Sequence, residues 1–485
     1  MVVSLYTSRV VLRTLGFEDF GIYNVVGGFV GMLAFLNSAM AASTQRFLTF
    51  ELGNGTKESV NQIFSLSIKL HFFLAILAFI VAESLGLWFI NTQLVIPETR
   101  NIAMNAVFQF SLLSLILNIC SVPLTAVVLS KERMEIFAYI SILDVLLRLV
   151  IAYVISSCTY DHLVVYSILL TFVSVINISI YIWVLNRRFK DIRYVKYWDR
   201  SKLQEMTSFA GWNMFGVFAG ISYNQGINIL LNMFFGVIVN AARSICYQVI
   251  GAVNQLVTNF QLALNPPITK SYAKGDIGGA IKLVGTSSKF SFLLLLFVIV
   301  PVWIYMPLIL SLWLGEYPNY TVQFVRLVLI EALINSLSGP LQIIAQATGK
   351  IKKYQIIVGI ILMSVLPITY VLFSLGLSPM STFVSSIIIA LIALIGRLAI
   401  IKEIVPFFSA KRFFVQIVFR TIITGAIVFA FSLLLSNFMN DSIAALALTF
   451  IINAILIISF GWICSLSGNE KDMVIAFVRT KILKK

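Results

Sequence analysis

The chain has 485 residues, 59% of them hydrophobic and only 11% charged, with a mean hydropathy of +0.97 and a formal net charge of +15. That balance lies far outside a water-soluble domain, and apolar runs of about twenty residues, the length of a helix across a bilayer core, follow one another from end to end. A strand barrel is excluded as well, because segments such as SFLLLLFVIVPVWIYMPLILSLWL (291–314) are continuously apolar rather than alternating. The fold class is an all-helical polytopic membrane protein.

Breaks at charged, Gly, Pro and Asn clusters predict fourteen spans, near 1–15, 20–49, 62–90, 99–129, 134–157, 162–186, 203–235, 238–269, 284–313, 319–348, 354–375, 379–401, 413–436 and 442–466. The N-terminus lacks the basic lead and cleavage site of a signal peptide, so the first span is expected to double as the targeting signal. The predicted organisation is a six-helix bundle (1–186), a basic cytoplasmic linker (187–202), a second six-helix bundle (203–402), two additional spans (403–466) and a basic cytoplasmic tail (467–485). Four cysteines (Cys120, Cys158, Cys246, Cys464) without paired spacing and two scattered histidines (His71, His162) point to no disulfide, no metal and no cofactor.

Charge alternates along the chain. Breaks after even-numbered spans carry Lys57, then Lys131 with Arg133, then NRRFKDIRYVKYWDRSK (186–202). Further on they carry Lys270, Lys274 and Lys282, then Lys350, Lys352 and Lys353, then Lys402, Lys411 and Arg412. Breaks after odd-numbered spans carry Glu18, Asp19, Glu98, Asp161, Glu316 and Asp441 instead. By the positive-inside rule the basic breaks and the C-terminus are cytoplasmic. The net positive charge thus faces anionic lipid headgroups, and no nucleic-acid partner is expected.

Shifting the sequence by 220 residues without gaps pairs Gly16 with Gly236, Gly31 with Gly251, Thr49 with Thr269, Gly55 with Gly275, Ser67 with Ser287 and Lys69 with Lys289. The same shift superposes spans one to three on spans seven to nine, the mark of parallel duplicated halves in transporters. In span eight, Asn240, Arg243, Tyr247, Gly251, Asn254, Thr258, Gln261 and Asn265 recur every three or four residues as one polar stripe, read as the wall of a wet cavity. The matching stripe of span two, through Tyr23, Gly31, Ser38 and Gln45, suits a cavity wall or close helix packing equally.

Eleven of the 35 basic residues fall inside spans: Arg9, Arg13, Arg46, Lys69, Arg100, Arg148, Arg243, Lys289, Arg326, Arg397 and Arg420. A charge at mid-bilayer costs at least about 2.5–3.5 kcal/mol, so each must snorkel, pair or line water. Arg100, Arg397 and Arg420 lie near span ends and are expected to snorkel. Asp144 and Arg148, four apart in span five, are expected to neutralise each other as a structural tie or a transport relay. Glu331, with Arg326 near it in sequence, sits roughly 20 Å from the outer end of span ten and is a candidate for proton or cation coupling. Arg9, Arg13, Arg46 and Arg243 make a candidate cationic patch, whose paired hydrogen bonds suit a phosphate-bearing substrate; four separately snorkelling arginines are the alternative.

LRTLGFEDFGIYNVVGG (12–28), STQRFLTFELGNG (43–55) and SYAKGDIGGAIKL (271–283) resemble segments of Wzx-type O-antigen and capsular polysaccharide flippases, in the multidrug, oligosaccharidyl-lipid and polysaccharide (MOP) exporter superfamily. The resemblance implies two six-helix bundles around a central cavity, alternating between inward-open and outward-open states, plus two C-terminal helices. It also implies a substrate, undecaprenyl-diphosphate-linked oligosaccharide, moved to the outer leaflet of the bacterial inner membrane. H+ or Na+ would be the coupling ion, with polysaccharide polymerase and export machinery as partners. In similar lipid II flippases, cavity arginines on the first, second and eighth helices engage the diphosphate. By helix position that role falls to Arg9, Arg13, Arg46 and Arg243, with Tyr247, Asn254, Thr258 and Gln261 facing sugar. The chain departs in its first span: about fifteen residues precede Gly16 where a crossing takes about twenty, which implies a misassigned start, a truncated chain or, if this start is the native one, a first span that fails to close the inner end of the cavity.

A MATE-like multidrug exporter and a lipid II flippase of the same fold compete with this reading, the former disfavoured because a basic cavity repels cations. An enzyme such as a polymerase or ligase is not expected, because the outer breaks are short and hold no paired carboxylates or His cluster.

Overall fold

The structure is a computed structural model that describes residues 2–32, 34–92 and 98–465, with Gly468 and Lys471; the tail is otherwise outside the described residues. Among the described residues every regular element is helical, because only a helix or a closed barrel satisfies its own amides in hydrocarbon. The chain forms two compact units, residues 1–217 and 218–485.

The first unit contains α1 (Val2–Met32), α2 (Ala34–Asn54), α3 (Lys57–Val81), α4 (Leu87–Thr92), α5 (Asn101–Ser130), α6 (Met134–Ser156), α7 (His162–Arg188) and the start of α8 (Arg200–Ala273). The second holds the rest of α8, then α9 (Ile277–Ile304), α10 (Met306–Leu314), α11 (Thr321–Ser336), α12 (Gly339–Ala347), α13 (Lys352–Met363) and α14 (Val365–Ser374). It closes with α15 (Met380–Ile404), α16 (Ala410–Phe413), α17 (Arg420–Ser436) and α18 (Ile443–Phe460).

Among the described residues, ten stretches are long and apolar enough to cross a membrane. The predicted spans outside that group are one, two, seven and eight, which carry the polar stripes and Arg9, Arg13, Arg46 and Arg243. Helix α8, at 74 residues, would be about 110 Å long if straight, more than three bilayer cores. It breaks at Gly236 (φ 79°, ψ −173°), as α1 breaks at Gly16 (φ 76°, ψ 173°). Only glycine adopts that backbone region routinely. With both helices divided there, the ten apolar stretches and four polar arms make fourteen. Exposed Phe72, Phe73, Tyr139, Ile395 and Ile458 give the units an apolar outer surface suited to lipid.

The 220-residue register runs through six spans. Helix α3 starts at Lys57 and α9 at Ile277, 220 apart; α5 starts at Asn101 and α11 at Thr321, again 220 apart. The starts of α6 and α13, and of α7 and α15, are 218 apart. Caps correspond too: the side chains of Thr56 and Asp276 each accept from the amide three residues on, in Ser59 and Gly279. So do the interruptions, since a π-turn (Ala82–Gly86) separates α3 from α4, and Pro301 precedes the break between α9 and α10.

Each interruption leaves carbonyls without helical partners, and side chains supply them. Pro301 cannot donate to the Phe297 carbonyl four residues back; Asn453 of α18 donates to it instead (2.9 Å). The last carbonyls of α9, on Trp303 and Ile304, accept from Arg326 (3.1 and 3.5 Å), whose guanidinium also lies 4.4 Å from the Trp303 ring. At the end of α11, Gln261 donates to the Ser336 carbonyl (3.2 Å) and Ser288 to that of Leu337 (3.1 Å).

The predicted linker is held along α3. Residues 192–199 form no helix, and two residues of drawn-out chain span about one helical turn. Side chains at four-residue intervals on α3 then meet alternate linker residues: Asn61 accepts from the Arg193 amide (2.9 Å), Ser65 from the Val195 amide (2.8 Å), and Lys69 donates to the Tyr197 carbonyl (2.7 Å). The Lys69 ammonium lies under the rings of Tyr194 and Trp198. At the linker's start Lys131 donates to Asp191 (2.6 Å), which holds that carboxyl below the usual range. Beyond it, Ser43 donates to the Met206 carbonyl (2.9 Å), fixing the first turns of α8 to α2.

Two outcomes test these points. Gly236→Ala, forced into a glycine backbone region, should lose about 1–3 kcal/mol of stability, seen as a lower melting temperature in detergent, whereas Gly220→Ala within helical α8 should not. Removing Asn61 and Ser65 side chains together should speed tryptic cleavage at Lys190, Arg193 and Lys196 several-fold, read by peptide mapping.

Candidate functional site

In the second unit the Gly236 break lets the two arms of α8 share one polar cluster. Arg243, 3% exposed, donates to Asn228 and reaches Asn224 (3.5 Å), both on the preceding arm, and its guanidinium lies 4.2 Å from the Tyr247 ring. Glu331 of α11 lies within electrostatic range of Arg243. Its Oε1 accepts from Asn335 (3.3 Å) and lies 3.5 Å from the Tyr223 hydroxyl, whose single proton serves either this carboxylate or the Ser386 oxygen of α15 (3.0 Å). The carboxylate is thus held by neutral donors with one guanidinium nearby, and Arg243 Nε has no hydrogen-bond partner. A buried charge so lightly compensated responds strongly to a proton or an incoming anion.

The first unit has a different cluster. Arg148 donates to both oxygens of Asp144 (2.8 and 3.4 Å), and Asn177 adds a third bond (2.8 Å). Tyr23 and Tyr166 stack edge to face beside Arg148 (5.0 Å between centroids). Adding 220 to Tyr23 gives Arg243, so one equivalent position serves both clusters with exchanged chemistry.

Of the four candidate diphosphate arginines, the Arg9 side chain lies outside the described residues, and Arg13 is exposed. Arg46 is buried at 9% exposure, its guanidinium 4.4, 5.1 and 5.4 Å from the rings of Phe47, Phe50 and Phe209 and 3.9 Å from Glu205. Those neighbours belong to its own unit and already satisfy its charge and its faces. Among the candidate sugar-facing residues, Asn254 and Thr258 are exposed, while Tyr247 sits against Arg243. Gln261 is occupied in joining α8 to α9 and α11 through Ser291 Oγ (3.1 Å) and the Ser336 carbonyl.

Two expectations for the intramembrane arginines, the snorkelling of Arg397 and of Arg100, are corrected, and Arg326 takes a place of its own. Arg326 turns to helix-end carbonyls, so the partners of Glu331 are Tyr223 and Asn335 with Arg243 nearby. Arg397, expected to snorkel, is 8% exposed and donates to Ser338 (3.0 Å). Arg100 pairs with Asp19 and with Asp161 (2.5 Å), tying three breaks of the first unit together instead of reaching for lipid. The sequence reading missed Tyr223, Asn224 and Asn228. The signal was present, because Asn224, Asn228 and Asn232 recur every four residues in span seven as the stripe does in span eight. No group of three metal-ligating side chains occurs among the described residues.

Two helical units built on one repeat, each with a polar cluster of intramembrane charges, define a multi-pass membrane protein of the duplicated-half class. Its fold is that of MATE family transporters of the MOP superfamily. The chain is similar to a multidrug resistance MATE transporter in its outward-facing conformation (TM-score 0.72, 13% identity, 83% of this chain and 91% of that one). It is also similar to a MOP superfamily transporter from Pyrococcus furiosus (0.71, 12%, 83% and 92%) and to the Vibrio cholerae MATE transporter VcmN in its bent form (0.66, 15%, 83% and 99%). No protein-family model matches the sequence, and no curated protein matches it.

If Arg243 and Glu331 compensate each other, replacing either alone strands the other. Arg243→Gln and Glu331→Gln should each lower thermal stability, and the double variant should lose less than their sum by about 0.5–3 kcal/mol, measured as a double-mutant cycle in detergent.

Proposed function

We propose that the protein is a flippase that carries an anionic, lipid-linked oligosaccharide across the bacterial inner membrane by alternating access, driven by an ion gradient. The observation that carries this reading is the buried guanidinium of Arg243, placed on the polar stripe with an unpartnered Nε and a single lightly held carboxylate nearby. A planar guanidinium binds diphosphate oxygens in pairs, and a desolvated site strengthens the attraction. Protonating Glu331 removes the charge that competes for Arg243 and opens the guanidinium to cargo; releasing the proton restores the competition. Proton binding and cargo binding are thereby linked. Arg13, Asn254 and Thr258 extend the proposed contact with diphosphate and sugar, while Asp144 and Arg148 act as a tie. Alternating loop charge supports a cytoplasmic C-terminus, with the Wzx-type segments supporting glycan cargo.

A MATE-like drug exporter is the second reading, favoured by the multidrug transporter among the similar structures. In that case the Glu331 carboxylate receives a cation and Arg243 works against it. Pocket polarity is a variable within this fold: in the Pyrococcus furiosus transporter, reverse polarity of the binding pocket suggests a different function.

Proteoliposomes separate the two. Fluorescent undecaprenyl-diphosphate-linked oligosaccharide should cross leaflets with a rate that rises with the proton or sodium gradient. Arg243→Gln should slow it about tenfold or more, the loss of one charged contact, and Glu331→Gln should make it gradient-independent. Transport of a cationic dye without the lipid-linked sugar, faster in Arg243→Gln, would establish the second reading instead.

A further inference from the structure

The second unit contains a cavity of about 530 Å³ between α9 and residues 407–420. Among the described residues four cations line it and no carboxylate does: Lys282 and Lys289 from α9, Arg412 from α16, and Arg420 at the start of α17. Helical spacing makes two facing ladders, since 282 and 289 are two turns apart and Arg412, Gln416 and Arg420 follow at intervals of four. The helices meet closely because residue 285 is glycine; a Cβ there would fall 2.6 Å from the Ile417 side chain. Opposite it, Phe414–Phe419 forms a π-turn, an irregularity frequent at functional sites. Lys289 is 6% exposed, so at least one of the cations is set into the protein rather than waving from its surface.

The remaining walls are apolar, with Ile281, Phe408, Phe413 and Ile417, and Phe407 projects at the rim, 92% exposed. A free anion would gain nothing from such a rim. A lipid would, because its phosphate satisfies the cations while its chain covers the rings. The cavity also lies at the end of the helices that carries Lys282, Lys402 and Lys411, the end that charge alternation assigns to the cytoplasm, where anionic headgroups lie.

We propose that this cavity is a binding site for an anionic phospholipid of the cytoplasmic leaflet, with its phosphate between the α9 lysines and the Arg412/Arg420 pair. The side assignment rests on the proposed orientation; the ligand chemistry does not depend on the cargo.

Native mass spectrometry and thermal stability of the full chain in neutral detergent, titrated with phosphatidylglycerol, phosphatidylcholine or inorganic phosphate, test the site. Phosphatidylglycerol should be retained and stabilise the protein, and the other two should not. Arg412→Gln/Arg420→Gln should weaken retention about tenfold or more, removing two cationic contacts with the phosphate. Arg187→Gln/Arg188→Gln, an equal change in net charge in the linker, should leave it unchanged. Equal retention of phosphatidylcholine, equal protection by inorganic phosphate, or an equal effect of the linker variant would overturn the assignment. Lys282→Gln provides the same test from an exposed position should the double variant fail to fold.

Discussion

A chain immersed in hydrocarbon must satisfy every backbone carbonyl from within itself. The long helices meet that demand until they break, and each break creates acceptors that water would otherwise take. Pro301 releases the Phe297 carbonyl, and Asn453 occupies it from α18. Arg326 covers the end of α9, and Gln261 and Ser288 cover the end of α11. Several of the most polar side chains are therefore backbone partners first, which removes them from the pool available for cargo.

What is left after that subtraction is small and specific. The second unit keeps Arg243 and Glu331 within electrostatic range, each bonded to uncharged groups; the first has an Asp144 bonded on both oxygens. The position of the repeat that holds Tyr23 in one half holds Arg243 in the other. One half thus carries a responsive charge and the other a settled one, an asymmetry that a duplicated fold allows because its framework is set by helix ends and glycines, not by these side chains.

The architecture was legible in the sequence because insertion demands long apolar runs, and because Gly16 and Gly236 mark the same turn twice. The 220-residue register was readable over three spans and extends over six. The site was less legible. Sequence proximity joined Glu331 to Arg326, whereas helix geometry at Pro301 drew Arg326 away and chain reversal at Gly236 brought Asn224 and Asn228 to Arg243. Burial of Arg46 and Arg397 was equally hidden, since depth along a span says nothing about which neighbour a side chain meets across it. The linker's basic and aromatic residues read as a loop; only the match between four helical residues and two linker ones shows it to be tied down.

That tie has a mechanical consequence. Between Arg193 and Tyr197 the linker is fastened to α3, and from Arg200 the chain is continuous helix across the boundary between the units at Val217 and Phe218. Between those bonds and the first turns of α8, the linker is thus part of the first unit and not a free loop. Within α8 itself Gly211, Gly216 and Gly220 recur at intervals of four to five residues and leave the helix at its thinnest, the stretch where it bends most easily.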